Sequence, residues 1–321
     1  MKIGNNFLVS ILFFCAGFAL IFAFSNNFYI TFILALFVIN LIFGLSQNII
    51  TGYVGQLSFA TAGLAGIGAY TSAFLSKEFS LPLYLTVPTG SLLSALAGIG
   101  LTFPSLRLKG FYFAFSTVIV QALLSLVYRD LVSVTGGDVG LPGIPTVSKY
   151  IGEQFLGFPS SAVYLLLVFI TCFIVLIFTN KLLNSKTGYM FTGIREDYVL
   201  LESLGANVTK YKVIAFFFSS LFAGLGGALY AHLTSYVSPL NFNLAASIII
   251  LLLISFGGRG SVMGTIIGAT FVTFLPYAVT EIYPYRDFIY GILFIVIIRF
   301  APRGVAGALK NMIQKLKVSE K

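Results

Sequence analysis

Arg195, Glu196, Asp197, Glu202, Lys210 and Lys212 crowd into one short stretch, Thr192 to Lys212, of a chain in which charged residues make up only 9%. Grouped this way, they could grip a soluble partner through charge-assisted hydrogen bonds. Other chemistry is scarce. There is one His, no Cys cluster with metal-ligand spacing, no G-x-S-x-G and no closely spaced carboxylate pair in an apolar run. No catalytic, metal or cofactor site is nominated. No G-x-x-x-x-G-K-[ST] occurs, so nucleotide phosphates are not held in the P-loop manner, and energy would have to come from another subunit. Gly257-Gly258-Arg259-Gly260 has the glycines of a phosphate cradle but lacks its lysine and follows an apolar run, so it reads as a tight turn.

The charged stretch has the pattern of a short amphipathic helix. Leu200, Leu201 and Leu204 recur at helical spacing on one side, and Gly205 ends the pattern as a C-terminal glycine does. Such a helix would lie at a membrane surface; the alternative is a solvated loop between two spans. The membrane itself follows from composition. With 321 residues, 58% of them hydrophobic, and a mean hydropathy of +0.99, the chain reads as a single all-α polytopic integral membrane domain over 1–321. Cys15 and Cys172 sit inside apolar runs and predict no disulfide. The net charge of +9 is dispersed at the ends of apolar segments, which fits a lipid bilayer with an anionic leaflet and excludes a nucleic-acid patch.

Apolar runs of spanning length occur at 7–24, 28–45, 83–103, 111–127, 162–179, 213–231, 244–256, 262–279 and 288–298, with a glycine-rich tenth at 49–75 that is either a span or re-entrant. Run 7–24 follows a short basic start but lacks a cleavage site, and it reads as the first span. Counting ten spans with the amino terminus inside puts 15 of the 19 basic residues on the cytoplasmic side, leaving only Lys77, Arg129, Lys149 and Arg286 outside. That is the asymmetry of the positive-inside rule, and omitting 49–75 would move Arg107 and Lys109 outside. The scheme gives cytoplasmic termini, a coupling loop at 180–212, an outer loop at 129–160 and a cytoplasmic tail at 300–321.

Small residues recur at four-residue spacing in three places: Ser58, Ala62 and Gly66; Ser219, Ala223, Gly227 and Ala231; and Gly260, Gly264 and Gly268. Close backbone approach at such ladders holds helices together in lipid, and the same surfaces could slide or line a narrow path. Polar residues within the spans are few, and Gln56, Thr61 and Gln121 are the candidates for a solute path. No span carries a carboxylate near its middle, which weighs against proton or sodium coupling. His232, beside Tyr230 and Tyr236, reads as a satisfied interfacial histidine and not a relay.

Gly193 to Lys212, GIREDYVLLESLGANVTKYK, resembles the cytoplasmic loop by which permease subunits of ABC importers dock on their ATPases. In order, TGYVGQLSFATAGLAGIGAY (Thr51 to Tyr70), LRLKGFYFAFSTVIVQ (Leu106 to Gln121), TGGDVGLPGIP (Thr135 to Pro145), GLGGALYAHLTSYVSP (Gly224 to Pro239), FGGRGSVMGTIIGA (Phe256 to Ala269) and RFAPRGVAGAL (Arg299 to Leu309) are similar to the M-type permease subunits of branched-chain amino-acid (LIV-type) transporters. The resemblance implies a heterodimer with a paralogous H-type permease, two cytoplasmic ATPase subunits, an extracytoplasmic solute-binding protein and a place in the bacterial inner membrane. It also implies ATPase coupling through Arg195, Glu196, Asp197, Glu202 and Gly205. The family usually has alanines around the docking glutamate, whereas Leu200, Leu201 and Ser203 surround Glu202 here, so the partner's groove is not defined by it. Leucine, isoleucine and valine are the implied solutes. Urea and short-chain amide importers share this subunit type, and a stand-alone carrier or a membrane-embedded enzyme are the readings from other classes.

Overall fold

The computed structural model describes residues 24–278 apart from 109, 153, 156 and 157, together with 17, 288–292, 295 and 304. The expected span 7–24 lies outside the described residues apart from 17 and 24, the expected span 288–298 is described only at 288–292 and 295, and the tail 300–321 only at 304. The helices that matter are α1 (Phe28–Gln47, continuing as a π-helix over Asn48–Tyr53), α2 (Thr61–Glu78), α3 (Leu83–Thr102), α4 (Phe111–Asp130), α5 (Ser160–Leu183), α6 (Lys186–Ser203), α7 (Val208–Thr234), α8 (Leu244–Gly257) and α9 (Val262–Ala278). The protein is an all-α polytopic membrane protein. Among the described residues α1 with its π-helix, α3, α4, α5 and α7 are each long and apolar enough to cross a bilayer, and α8 and α9 are shorter apolar helices.

Local chemistry sets several helix starts. Asn27, Asn207 and Asn243 each accept a backbone N–H three residues on, from Ile30, Lys210 and Ala246 at 3.2, 3.0 and 2.9 Å. A side-chain oxygen there satisfies a donor that the first helical turn leaves orphaned.

The glycine-rich run expected at 49–75 is not one continuous helix. The π-helix ends at Tyr53, a link follows, and α2 begins only at Thr61. Gly55 turns the link with φ +79°. Side chains satisfy its backbone: Gln47 Nε2 donates to the Ser58 carbonyl at 2.7 Å, and Thr51 Oγ1 to the Gln56 carbonyl at 3.0 Å. An irregular link between helices needs its backbone groups paired in this way. The physical reason for the glycines of α2 is its place between α3 and α7, against protein and not lipid. A Cβ on Gly68 would stand 2.1 Å from the Gly224 carbonyl oxygen and 2.5 Å from its Cα, and one on Gly90 would stand 2.6 Å from the Gly68 carbonyl oxygen. Backbone therefore meets backbone where α2, α3 and α7 cross. Ser94 Oγ on α3 ties the three together, donating to the Leu64 and Ser220 carbonyls at 2.7 and 3.0 Å. Ser46 and Ser219 do the same between α1 and α7, each hydroxyl donating to the other's carbonyl at 2.7 and 2.9 Å.

At the opposite end from Gly52, Leu141–Pro142 pairs antiparallel with Tyr236–Val237. His232 is buried there. Its Nδ1–H must donate to Pro145 O at 2.8 Å, because a carbonyl only accepts, which leaves Nε2 to accept from Ser72 Oγ at 2.8 Å. His232 thus holds the 129–160 loop to the bundle as a fully paired core histidine.

The alternation of ends is testable. Cysteines placed at Lys149 and Lys186, both exposed, in a background lacking Cys15 and Cys172, are expected to label with membrane-impermeant reagent from opposite sides. Labelling of both from one side would overturn the ten-span scheme.

Candidate functional site

The charged stretch covers the second half of α6, the turn at Gly205 and, with Lys210 and Lys212, the start of α7; its α6 part is built around a break. Asp197 has extended backbone (φ −156°, ψ 99°) inside α6. Its carboxylate accepts the N–H groups of Val199 and Leu200, both at 3.0 Å, restarting the helix with an acidic cap at its positive end. The restarted turn closes at Gly205, φ +83°. Gly205 N–H donates to Glu202 O and Ala206 N–H to Leu201 O, both at 3.0 Å, the paired bonds of a Schellman cap that wants glycine in the left-handed position.

Leu200, Leu201 and Leu204, at helical spacing, differ in how far they are covered by the chain. Leu201 packs inward, with a Cβ on Gly193 only 2.9 Å from its Cδ1. Leu200 and Leu204 are 56% and 74% exposed, and Val199 is 55% exposed. The restarted helix is barely more than a turn long and rests on the first half of α6 through Leu201, and the described residues leave the other two uncovered. Glu196, Asp197 and Glu202 are exposed around them. Tyr198 faces the opposite way, with the buried Lys212 Nζ 6.0 Å from its ring centroid. Arg195 departs from its neighbours, because its Nη1 turns back and donates to the Gly52 carbonyl at 2.8 Å.

The small-residue ladders divide. Ser58 lies in the link and not on α2. A Cβ on Gly66 would meet the Tyr128 ring at 2.6 Å, and one on Gly227 the Ala65 carbonyl oxygen at 1.9 Å. Gly260 precedes α9 with φ +74°. Gly264 and Gly268 face the backbone of Gly257, Gly258 and Leu253, so this ladder packs α9 onto α8 within the chain. Gly68, Gly90 and Gly224 are not among the ladders singled out, although each has a small residue four positions away, Ser72, Ser94 and Ser220. Gly68 stands two residues from Gly66, on another face of α2, and spacing within one helix does not reveal contacts between three.

Thr61 and Gln121 are fully buried and hold the structure together. Thr61 donates to Gln47 Oε1. Gln121 Oε1 accepts from Gly63 N and Ser247 Oγ at 2.7 and 3.1 Å, and its Nε2 donates to Phe242 O at 2.7 Å. Gln56 is half-buried in the link. None of the three lines the cavity around Asn40. That cavity, about 440 Å³, lies among α1, α2, α7, α8 and α9, with Asn40, Asn241 and Thr273 on its polar side and Phe43, Ile249 and Val272 on its apolar side. Asn40 Nδ2 donates to Thr273 Oγ1 at 2.9 Å, joining α1 to α9 at the cavity's wall. Its volume is that of small-molecule sites, roughly 300–1,000 Å³. Among the described residues no charged side chain lines it. Sequence reasoning overlooked Asn40 as a cavity residue because an isolated polar residue in an apolar run carries no spacing signal.

Comparison with known proteins agrees with this architecture. Residues 29–298 match the family model described as branched-chain amino acid transport system / permease component. The high-affinity branched-chain amino acid transport system permease proteins LivM of Salmonella typhimurium and Escherichia coli are each 30% identical, over 292 and 298 residues. These alignments cover 83% and 85% of this chain and 67% and 69% of the relatives. The ribose import permease protein RbsC of Haemophilus influenzae is 26% identical over 226 residues, 66% of this chain and 65% of its own length. No solved structure matches. With 29–298 covered by the family model and two thirds of the LivM proteins aligned, the chain belongs to the permease components of branched-chain amino acid transport systems, as an ABC permease of the LIV type.

Proposed function

We propose that this chain is the transmembrane permease subunit of an ATP-driven importer for branched-chain or related amino acids in the bacterial inner membrane. It forms the translocation path with a paralogous H-type permease, receives solute from an extracytoplasmic binding protein, and docks cytoplasmic ATPases on residues 196–205. The observation that carries the reading is the exposed apolar tip of α6, where Val199, Leu200 and Leu204 stand out beside Glu202. Leucines exposed at the end of a charged helix have little to do in water. They suit a groove in a soluble partner, into which a short helix lays its apolar side chains. The LivM relatives supply the solute class, and the uncharged cavity accords with a zwitterion whose side chain is apolar.

The test is uptake into proteoliposomes holding this chain, its partner permease and the ATPases, with binding protein loaded with labelled leucine. Uptake is expected to require ATP and all partner chains. Uptake by this chain alone on an ion gradient would establish a carrier instead. Transport of urea or a short amide with no leucine transport would move the chain to that branch of the family.

A further inference from the structure

Arg195 sits where three segments from distant parts of the chain meet. Its Nη1 donates to the carbonyl of Gly52 at 2.8 Å, in the π-helical end of α1. Its side-chain stem lies against Gly55, where an added Cβ would stand 2.4 Å from Arg195 Cγ and 3.3 Å from its Cα. Its guanidinium also abuts Gly260, in the turn between α8 and α9, where an added Cβ would stand 2.8 Å from Nη1. The slot is therefore made of glycine on the two sides that touch the arginine. Asn48 completes the junction from within α1, accepting from Gly260 N–H at 2.8 Å and donating to Ser261 O and Thr265 Oγ1 at 3.2 and 3.0 Å. The remainder of Arg195 is exposed, and two residues later the backbone breaks at Asp197, where the exposed tip of α6 begins.

We propose that Arg195 is not a docking contact but a positioning residue, a clasp that transmits movement of the docked tip of α6 to the cytoplasmic end of α1 and to the α8–α9 turn. The proposal rests on the reading that residues 196–205 dock an ATPase. The mechanical route is short. A displacement of the tip pivots α6 at Asp197, and Arg195, on the near side of the pivot, pulls on Gly52. Gly52 belongs to the π-helix that continues α1. Helical segments of this kind, with one residue too many per turn, are where a long helix deforms most readily. Farther along α1, Asn40 and Phe43 line the cavity, so displacement of α1 changes the cavity's wall. Through Asn48 the same pull reaches α9, which supplies Thr273, the hydrogen-bond partner of Asn40, to the cavity's lining.

The experiment compares wild type with Arg195→Met, which keeps the stem in the slot and removes the donors, and with Arg195→Lys, which restores one donor and the charge. Each is prepared as the full complex in proteoliposomes. Arg195→Met is expected to co-purify with undiminished ATPase and to keep basal hydrolysis. Stimulation by loaded binding protein and uptake should both fall about tenfold, within the range usual for coupling between sites. Arg195→Lys should recover part of the loss. Loss of ATPase from the Arg195→Met complex would make Arg195 a docking contact, and full stimulation and uptake would make it a bystander; either result overturns the proposal.

A second measurement leaves the arginine in place. Spin labels at Leu57 and Glu196, across the clasp, are expected to keep one distance in the nucleotide-free and ATP-bound complexes, because the clasp moves as a unit. A distance that changes with nucleotide overturns it, whatever becomes of the methionine variant. Wild-type complex with no ATP-dependent uptake would fail the importer reading itself, and the clasp with it.

Discussion

Replacing Gly68 with leucine is expected to abolish accumulation of folded protein, whereas the same change at Gly100 is expected to leave it intact. The contrast comes from what each side chain would meet. A Cβ on Gly68 would lie 2.1, 2.5 and 2.6 Å from the carbonyl oxygen, Cα and carbonyl carbon of Gly224, and nothing lies within 4 Å of one on Gly100. Side chains can rotate away from a clash, but backbone in the middle of α7 cannot. Overpacking a filled core costs about 1–3 kcal/mol, occasionally more, when side chains can give. Here α2 and α7 would have to separate, undoing the serine contacts around them, against a total stability of about 5–15 kcal/mol for a typical domain. Gly68→Ala carries the same Cβ and is expected to force the same separation to a smaller extent, with a sharply lowered unfolding temperature. The readouts are the monodisperse fraction on size-exclusion in detergent and the thermal midpoint. Equal behaviour of Gly68→Leu and Gly100→Leu would refute the three-helix contact.

Much of this architecture was legible in the sequence because a bilayer imposes a simple demand. Runs of spanning length must be helical, and α1, α3, α4, α5 and α7 stand where the apolar runs lie. The left-handed turn at Gly205 was legible for a similar reason, since one residue type suits one backbone conformation. What stayed hidden depends on neighbours remote in sequence. The break before α2 rests on Gln47 reaching Ser58 and on Thr51 reaching Gln56, bonds that no periodicity encodes. Thr61 and Gln121 read as path residues because a polar side chain in a span looks idle until its partners are known. Arg195 reads as one of the coupling charges beside Glu196 and Asp197, and only the structure shows Gly55 and Gly260 making room for it.

The second large effect concerns the tip of α6. Glu202→Lys and Gly205→Val are each expected to leave membrane insertion normal, since that depends on the apolar spans. Each should reduce binding-protein-stimulated ATP hydrolysis and solute uptake together, and the amount of ATPase that co-purifies should fall. The two act by different routes. Glu202 is exposed near the carboxyl end of its helix, where a cation is more favourable than an anion. Lysine there should not unfold the tip, so a loss of docking would report the reversed charge. Gly205 has open space around an added Cβ but φ +83°. A left-handed residue with a side chain costs about 1–2 kcal/mol, more when β-branched, so valine should shift the cap that aims Leu204 and Glu202 outward. Truncating or misplacing a central anchor at a protein interface costs about 2 kcal/mol or more, enough to deplete the complex roughly thirtyfold. Basal hydrolysis by the ATPases, which needs no permease movement, is expected to survive. Full stimulation and uptake in both variants would reduce this stretch to a solvated loop.

The cavity among α1, α2, α7, α8 and α9 has an electrical consequence. Among the described residues its lining carries no formal charge, so a zwitterionic solute resting there would neither bring net charge into the field nor draw a counter-charge from the protein. Moving one elementary charge through a membrane potential is worth about 2.3 kcal/mol per 100 mV, and a step that moves none is indifferent to voltage. Solute passage through this cavity would be electrically silent. The voltage across the membrane would then neither drive the import of a neutral amino acid nor oppose it, leaving ATP as the sole source of accumulation.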